Sequence, residues 1–152
     1  MKKIMFAAAV LMGSSVGSAF GQGSPIITLS LHDTPAHGSD GYTNVAACGS
    51  TYSYKYSGGT GNGGDVTFIG RRPVTVVLKL NNASPSDRRY TFGDVTFEGD
   101  DNDQLSWSGN APTNGVINDK NDVAQTASYK VMVDDATKAS CSIPCDPKII
   151  NQ

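Results

Sequence analysis

The stretch Pro73-Val74-Thr75-Val76-Val77-Leu78-Lys79-Leu80-Asn81 (residues 73–81) carries the clearest periodicity in the chain. Val74, Val76, Leu78 and Leu80 alternate with Thr75, Val77 and Lys79. Successive side chains of an extended strand point to opposite faces, so this pattern predicts a half-buried β-strand.

Working outward, the same period recurs. Ile27, Leu29 and Leu31 alternate with Thr28 and Ser30. Tyr52, Tyr54 and Tyr56 alternate with Ser53 and Lys55, which read as the solvent side. Val66 and Phe68 make a short run, and Tyr129, Val131 and Val133 alternate with Ser128, Lys130 and Met132. Between Tyr90 and Phe97 the parity flips: Tyr90 and Phe92 are even, Val95 and Phe97 odd. A one-residue slip would expose an entire apolar set, so Gly93-Asp94 is expected to form a β-bulge or tight bend. The glycine run 58–64, the segment 81–87 with Pro85, and Asp134 to Lys138 read as connections. No segment of ten or more residues follows the 3.6 period of a helix. Seven or eight short strands about ten residues apart predict an all-β fold, a single antiparallel β-sandwich of immunoglobulin-like kind.

Composition agrees. The chain holds 17 Gly and 7 Pro, and Glu98 is its one Glu beside many Asp. Asp favours turns and caps, whereas Glu favours helix surfaces. The first residues run Lys2-Lys3, an apolar stretch from Ile4 to Met12, then small residues, the order of a secretory signal peptide. Cleavage is expected after Ala19 or Gly21, leaving residues 22–152 as the β-sandwich domain, exported to the periplasm or outside the cell, with no membrane insertion. The net charge of −2 deepens to about −4 once Lys2 and Lys3 are removed, which gives no footprint for nucleic acid.

Outside the cytoplasm paired thiols oxidise. Cys48, Cys141 and Cys145 are the three cysteines. A bridge from Cys48 to either partner constrains the unfolded chain more than one within Cys141-Ser-Ile-Pro-Cys145; the local pair and no bridge at all are the alternatives. Structural zinc wants four Cys or His ligands, and no His follows Cys48. Blue copper wants two His and a Cys close together, while His32 and His37 both lie early. Within CSIPC, Pro144 is expected to end the last strand, since it has no N–H to donate.

Glu98-Gly99-Asp100-Asp101-Asn102-Asp103 is the richest acidic run, and its oxygens suit a hard cation. Asp100, Asp101 and Asp103 are therefore the metal candidates for a calcium-dependent binding module, although the EF-hand pattern is absent. Tyr52, Tyr54, Tyr56 and Trp107 are the ligand-binding candidates, since exposed aromatics stack on sugars or anchor partners. The alternation places the tyrosines toward the core instead, with hydroxyls reaching the rim. No pair of carboxylates is marked out for catalysis.

The C-terminal part resembles the DP-EP family of small, often exported bacterial proteins. The resemblance rests on Asp103-Gln104-Leu105-Ser106-Trp107, on Val116-Ile117-Asn118-Asp119, and on Cys145-Asp146-Pro147-Lys148-Ile149-Ile150-Asn151. It covers about the last fifty residues; the Asp-Pro is present and the Glu-Pro is not. It implies a compact β-sandwich and carries over no activity or catalytic residue. The expectation is an exported protein that is not an enzyme, binding a protein or glycan partner or serving a structural role, without a cofactor. A calcium-dependent module is the alternative, and a hydrolase with scattered acids is a further one.

Overall fold

The structure, a computed structural model, describes residues 23–37, 40–61, 63–81 and 88–151, with the side chains of residues 110, 146–149 and 151 outside the description. The expected signal segment lies outside the described residues. Ten strands run in chain order, and no helix occurs among the described residues. They are β1 (Ile26–His32), β2 (Thr43–Ala47), β3 (Ser50–Gly58), β4 (Val66–Thr67), β5 (Val74–Asn81), β6 (Tyr90–Glu98), β7 (Leu105–Ala111), β8 (Asn114–Asp119), β9 (Thr126–Asp135) and β10 (Ser142–Asn151). One sheet has six strands in the order β2-β3-β1-β5-β8-β7. The other has four, β4-β10-β9-β6.

The all-β expectation holds, and the inward faces are those the alternation marked. Ile27, Leu29 and Leu31, Val76, Leu78 and Leu80, and the three tyrosines of β3 are buried from the six-stranded sheet. Tyr129, Val131 and Val133 meet them from β9, with Ile143, Cys145 and Ile150 from β10. All belong to one apolar cluster, to which both sheets contribute. The register shift on β6 falls between Phe92 and Val95, where the parity flip placed it. The bulge lets Phe92 and Val95 both turn toward the core side despite their opposite parity.

Several expectations need correction. There are ten strands, not seven or eight. The three that the period did not reveal, β2, β7 and β8, place few large apolar residues inward; on β8 the buried positions are Gly115, Ile117 and Asp119. The pairing is not wholly antiparallel: β1 runs parallel to β5, and β10 parallel to β4. Pro144 does not end the last strand. β10 continues through Pro144 and Pro147, with a register shift between Cys145 and Lys148. Among the described residues its outer side pairs only at Ile150 and Asn151, with the two residues of β4, so β10 is an edge strand where it carries its prolines, the place in a sheet that tolerates them. Ser53 is not on the solvent side. It is buried, and its hydroxyl donates to the Thr34 carbonyl at 2.8 Å under the loop that follows β1.

Trp107 and Gly115 close the far end of the six-stranded sheet. Trp107 pairs with Ile117 across β7 and β8, and its ring lies over Gly115 and meets Phe92 of β6 edge-on, centroids 5.5 Å apart. A Cβ on Gly115 would overlap the indole. The β7–β8 turn also accepts a hydrogen bond from β6, Phe92 N–H to Pro112 carbonyl at 2.7 Å. The two sheets thus meet here through one aromatic pair and one backbone bond. Gly115→Ala is expected to cost about 1–3 kcal/mol of stability, the range for overpacking a filled site; a shifted urea midpoint at unchanged slope is the measurement, and an unshifted midpoint contradicts this packing.

Candidate functional site

At one end of the molecule the sheets are joined covalently. Cys48, in the β2–β3 turn, is disulfide-bonded to Cys141, just before β10, with Cα atoms 5.6 Å apart and a sequence separation of 93. Of the pairings open from the sequence, the structure has this long-range one. Cys145 stands outside it, buried in the core. Cys48 and Gly49 both have positive φ, 52° and 72°, between the paired residues Ala47 and Ser50. This is the geometry of a two-residue type I′ hairpin turn, whose twist matches the flanking strands.

A polar cluster sits against the disulfide. Asp135, at the end of β9, is 1% exposed. Its carboxylate accepts from the Tyr52 hydroxyl at 2.9 Å, from Arg89 Nε at 3.3 Å and Nη2 at 3.2 Å, and from the Thr137 hydroxyl at 2.6 Å and backbone N–H at 3.0 Å. Burial pushes this carboxyl up, but the hydrogen bonds from Arg89, Thr137 and Tyr52 outweigh it and hold it well below the usual carboxylate range. Arg89 also reaches Asp33 at 2.8 Å, so its guanidinium spans two carboxylates. Tyr52 Oη lies 3.6 Å from Cys141 Sγ. Lys138 Nζ stands 4.9 Å from the centre of the Tyr52 ring and bonds Ser50 Oγ at 2.7 Å. The bonds of this cluster join β3, β9, the loop after β1 and the turn after β9, so the cluster does structural work.

The aromatic candidates do not form a surface platform. Tyr52, Tyr54 and Tyr56 are buried, because inward-facing positions of β3 lie between the two sheets. The Tyr52 hydroxyl ends on buried Asp135, not at the rim. Trp107 is half-buried under Phe92.

The acidic candidates hold a loop. Asp100 Oδ1 accepts from the Gln104 N–H at 2.8 Å and from Gln125 Nε2 at 2.7 Å, while Oδ2 accepts from the Leu105 N–H at 3.0 Å. Asp101 and Asp103 are exposed. Among the described residues no group of three or more His, Cys, Asp or Glu side chains is placed to hold a metal. Buried Gln104 and Asn121 extend this network. Gln104 Oε1 accepts from the Asp122 N–H at 2.7 Å, and Asn121 Nδ2 donates to the carbonyls of Gly70 at 2.7 Å and Arg72 at 3.1 Å.

Beside this network opens a pocket of about 490 Å³. Thr75, Asn118 and Ser106 contribute to its lining, and in register they form one row across β5, β8 and β7. That row lies on the face away from the core, since its neighbours Val76 and Ile117 are buried on the other. Phe68 and Pro73 supply apolar surface, and Arg72 and Lys120 supply charge. The row itself gives no signal in the sequence, where the Thr, the Ser and the Asn stand about thirty and then about twelve positions apart.

No family model matches the chain, and no curated protein matches it.

The Asp135 cluster has a pH signature. A carboxyl held below its unfolded value contributes stability that is complete above the unfolded pKa, about 3.9, and is lost as pH falls below it. Asp135→Asn should therefore lower stability by about 3 kcal/mol near neutral pH, the low end for breaking a buried pair because Arg89 keeps Asp33. The gap between variant and parent, measured by urea unfolding at several pH values, should stay constant down to about pH 4 and narrow below it. A gap that widens with acid would contradict the assignment.

Proposed function

We propose that this chain is an exported, non-catalytic β-sandwich protein of immunoglobulin-like kind, which binds a partner in the cell envelope or outside the cell. The observation that carries the compartment is the Cys48–Cys141 disulfide, since such bridges persist in oxidising surroundings. The leader-like residues 1–21 support the same reading. The two sheets, facing each other over one apolar cluster, support the sandwich. Kinship with the DP-EP proteins is part of the proposal and rests on the motif residues around Trp107, Asn118 and Asp146. Binding rather than catalysis is favoured by how the polar side chains are spent: Asp135, Asp100, Gln104 and Asn121 hold loops and sheet ends.

Expression with residues 1–21 intact, followed by fractionation and mass spectrometry without reduction, tests export. The expected product is a processed chain starting after Ala19 or Gly21, with a Cys48–Cys141 peptide. An unprocessed cytoplasmic chain with three reduced thiols would overturn the reading. Replacing both Cys48 and Cys141 by Ser should cost up to about 4–5 kcal/mol, the chain-entropy value for so long a loop; an unchanged melting temperature would remove the disulfide from the account of stability. The binding role is tested by glycan-array and pull-down screens of the processed protein, and retention of no ligand in either would defeat it.

A further inference from the structure

The pocket beside β5, β8 and β7 has a chemistry that the rest of the surface need not share. Thr75, Asn118 and Ser106 stand in one row on adjacent strands, which run about 4.8 Å apart. That spacing is comparable to the distance between equatorial hydroxyl oxygens on alternate carbons of a pyranose. A hydroxyl or a side-chain amide offers both a donor and an acceptor, as a sugar hydroxyl does. The Thr75 hydroxyl is bonded to Ser24 Oγ at 2.7 Å, and Asn118 Nδ2 reaches Ser108 Oγ at 3.5 Å, so two of the three side chains in the row are oriented before any ligand arrives. Pro73, exposed in the lining, adds apolar surface beside the row.

Charge narrows the class. Arg72 and Lys120 line the pocket, and both are exposed. Among the described residues the one carboxylate in the lining is Asp119, which is 2% exposed and accepts the Asn121 N–H at 2.8 Å through Oδ1. Two accessible cations against one buried anion favour a ligand with a single negative group. An arginine fork suits a carboxylate. The volume, about 490 Å³, falls in the range of small-molecule sites and exceeds what a lone inorganic anion fills.

We propose that this pocket binds an acidic sugar: a uronic-acid unit whose carboxylate meets Arg72 and Lys120 while its ring hydroxyls meet the Thr75–Asn118–Ser106 row. The inference rests on the binding role proposed above and names its site and ligand class.

The probe is D-glucuronate, with D-glucose and acetate as controls, titrated into the oxidised protein and followed by amide NMR shifts. Glucuronate should saturate, shift the amides of Thr75, Ser106, Asn118 and Lys120, and bind about tenfold more tightly than either control. Arg72→Ala with Lys120→Ala should bring glucuronate down to the level of glucose. Ser106→Trp, which fills the pocket from an exposed position without touching the charges, should abolish the shifts at an unchanged melting temperature. Acetate binding as tightly as glucuronate would reduce the pocket to an anion site and overturn the inference. So would glucuronate shifts located elsewhere, or no saturable shift. A glycan captured on the array that leaves these amides unmoved would sink this inference while sustaining the binding role, whereas capture of nothing by any screen sinks both.

Discussion

One buried carboxylate holds the disulfide end of this molecule in register. Asp135 sits at the last position of β9, yet its partners come from three other places: Tyr52 on β3, Arg89 just before β6, and Thr137 in the following turn. A lone charge at that depth would be costly. It is tolerated because five hydrogen-bonding contacts converge on it and one partner is a cation. The requirement is mutual. Arg89 is positioned only if β6 pairs with β9 as far as Tyr90 opposite Asp135, and Tyr52 only if β3 packs over β9. A slip in either sheet would strand the charge, so the cluster specifies one alignment of the sheets where apolar packing alone would accept several.

The disulfide and the Asp135 cluster act on different states of the chain. The bridge closes a long loop and so restricts the unfolded ensemble. The cluster selects among compact states. Their adjacency, with Tyr52 Oη 3.6 Å from Cys141 Sγ, means that the sheet geometry favoured by the cluster is also the one that brings the two sulfurs together. At the opposite end Trp107 performs the apolar version of the same task, using Gly115 as its seat.

Much of the fold was legible in the sequence because its inward faces obey a strict period of two. Leu29 and Leu31, Val76 and Leu78, Val131 and Val133 all lie where alternation puts them. The bulge at Gly93-Asp94 was legible for the same reason, since a parity flip leaves no other way to keep Phe92 and Val95 on the core side. β8 was not, because two of its inward positions are Gly115 and Asp119, a seat for a ring and a carboxylate. Their meaning depends on Trp107 and Asn121, and local patterns carry no such information. The same limit hid the polar sites. Asp135 reads as part of a connection and Asp100 as a metal candidate, and nothing local marks Arg89 as the partner of a buried carboxylate. Asn121 finds its acceptors 51 and 49 residues away. The row of Thr75, Asn118 and Ser106 exists only through the strand order β5-β8-β7.

The prolines of β10 bear on how copies of this protein behave toward one another. Strand edges present unpaired N–H and C=O groups on which a neighbouring chain can add a strand. The outer side of β10 pairs only at its last residues among those described. Pro144 and Pro147 remove two N–H donors from this strand, and the register shift between Cys145 and Lys148 breaks its straight line. A second copy laid alongside would find a ladder with missing rungs. Such an edge discourages the strand-by-strand stacking of copies that a straight edge with all its donors would invite.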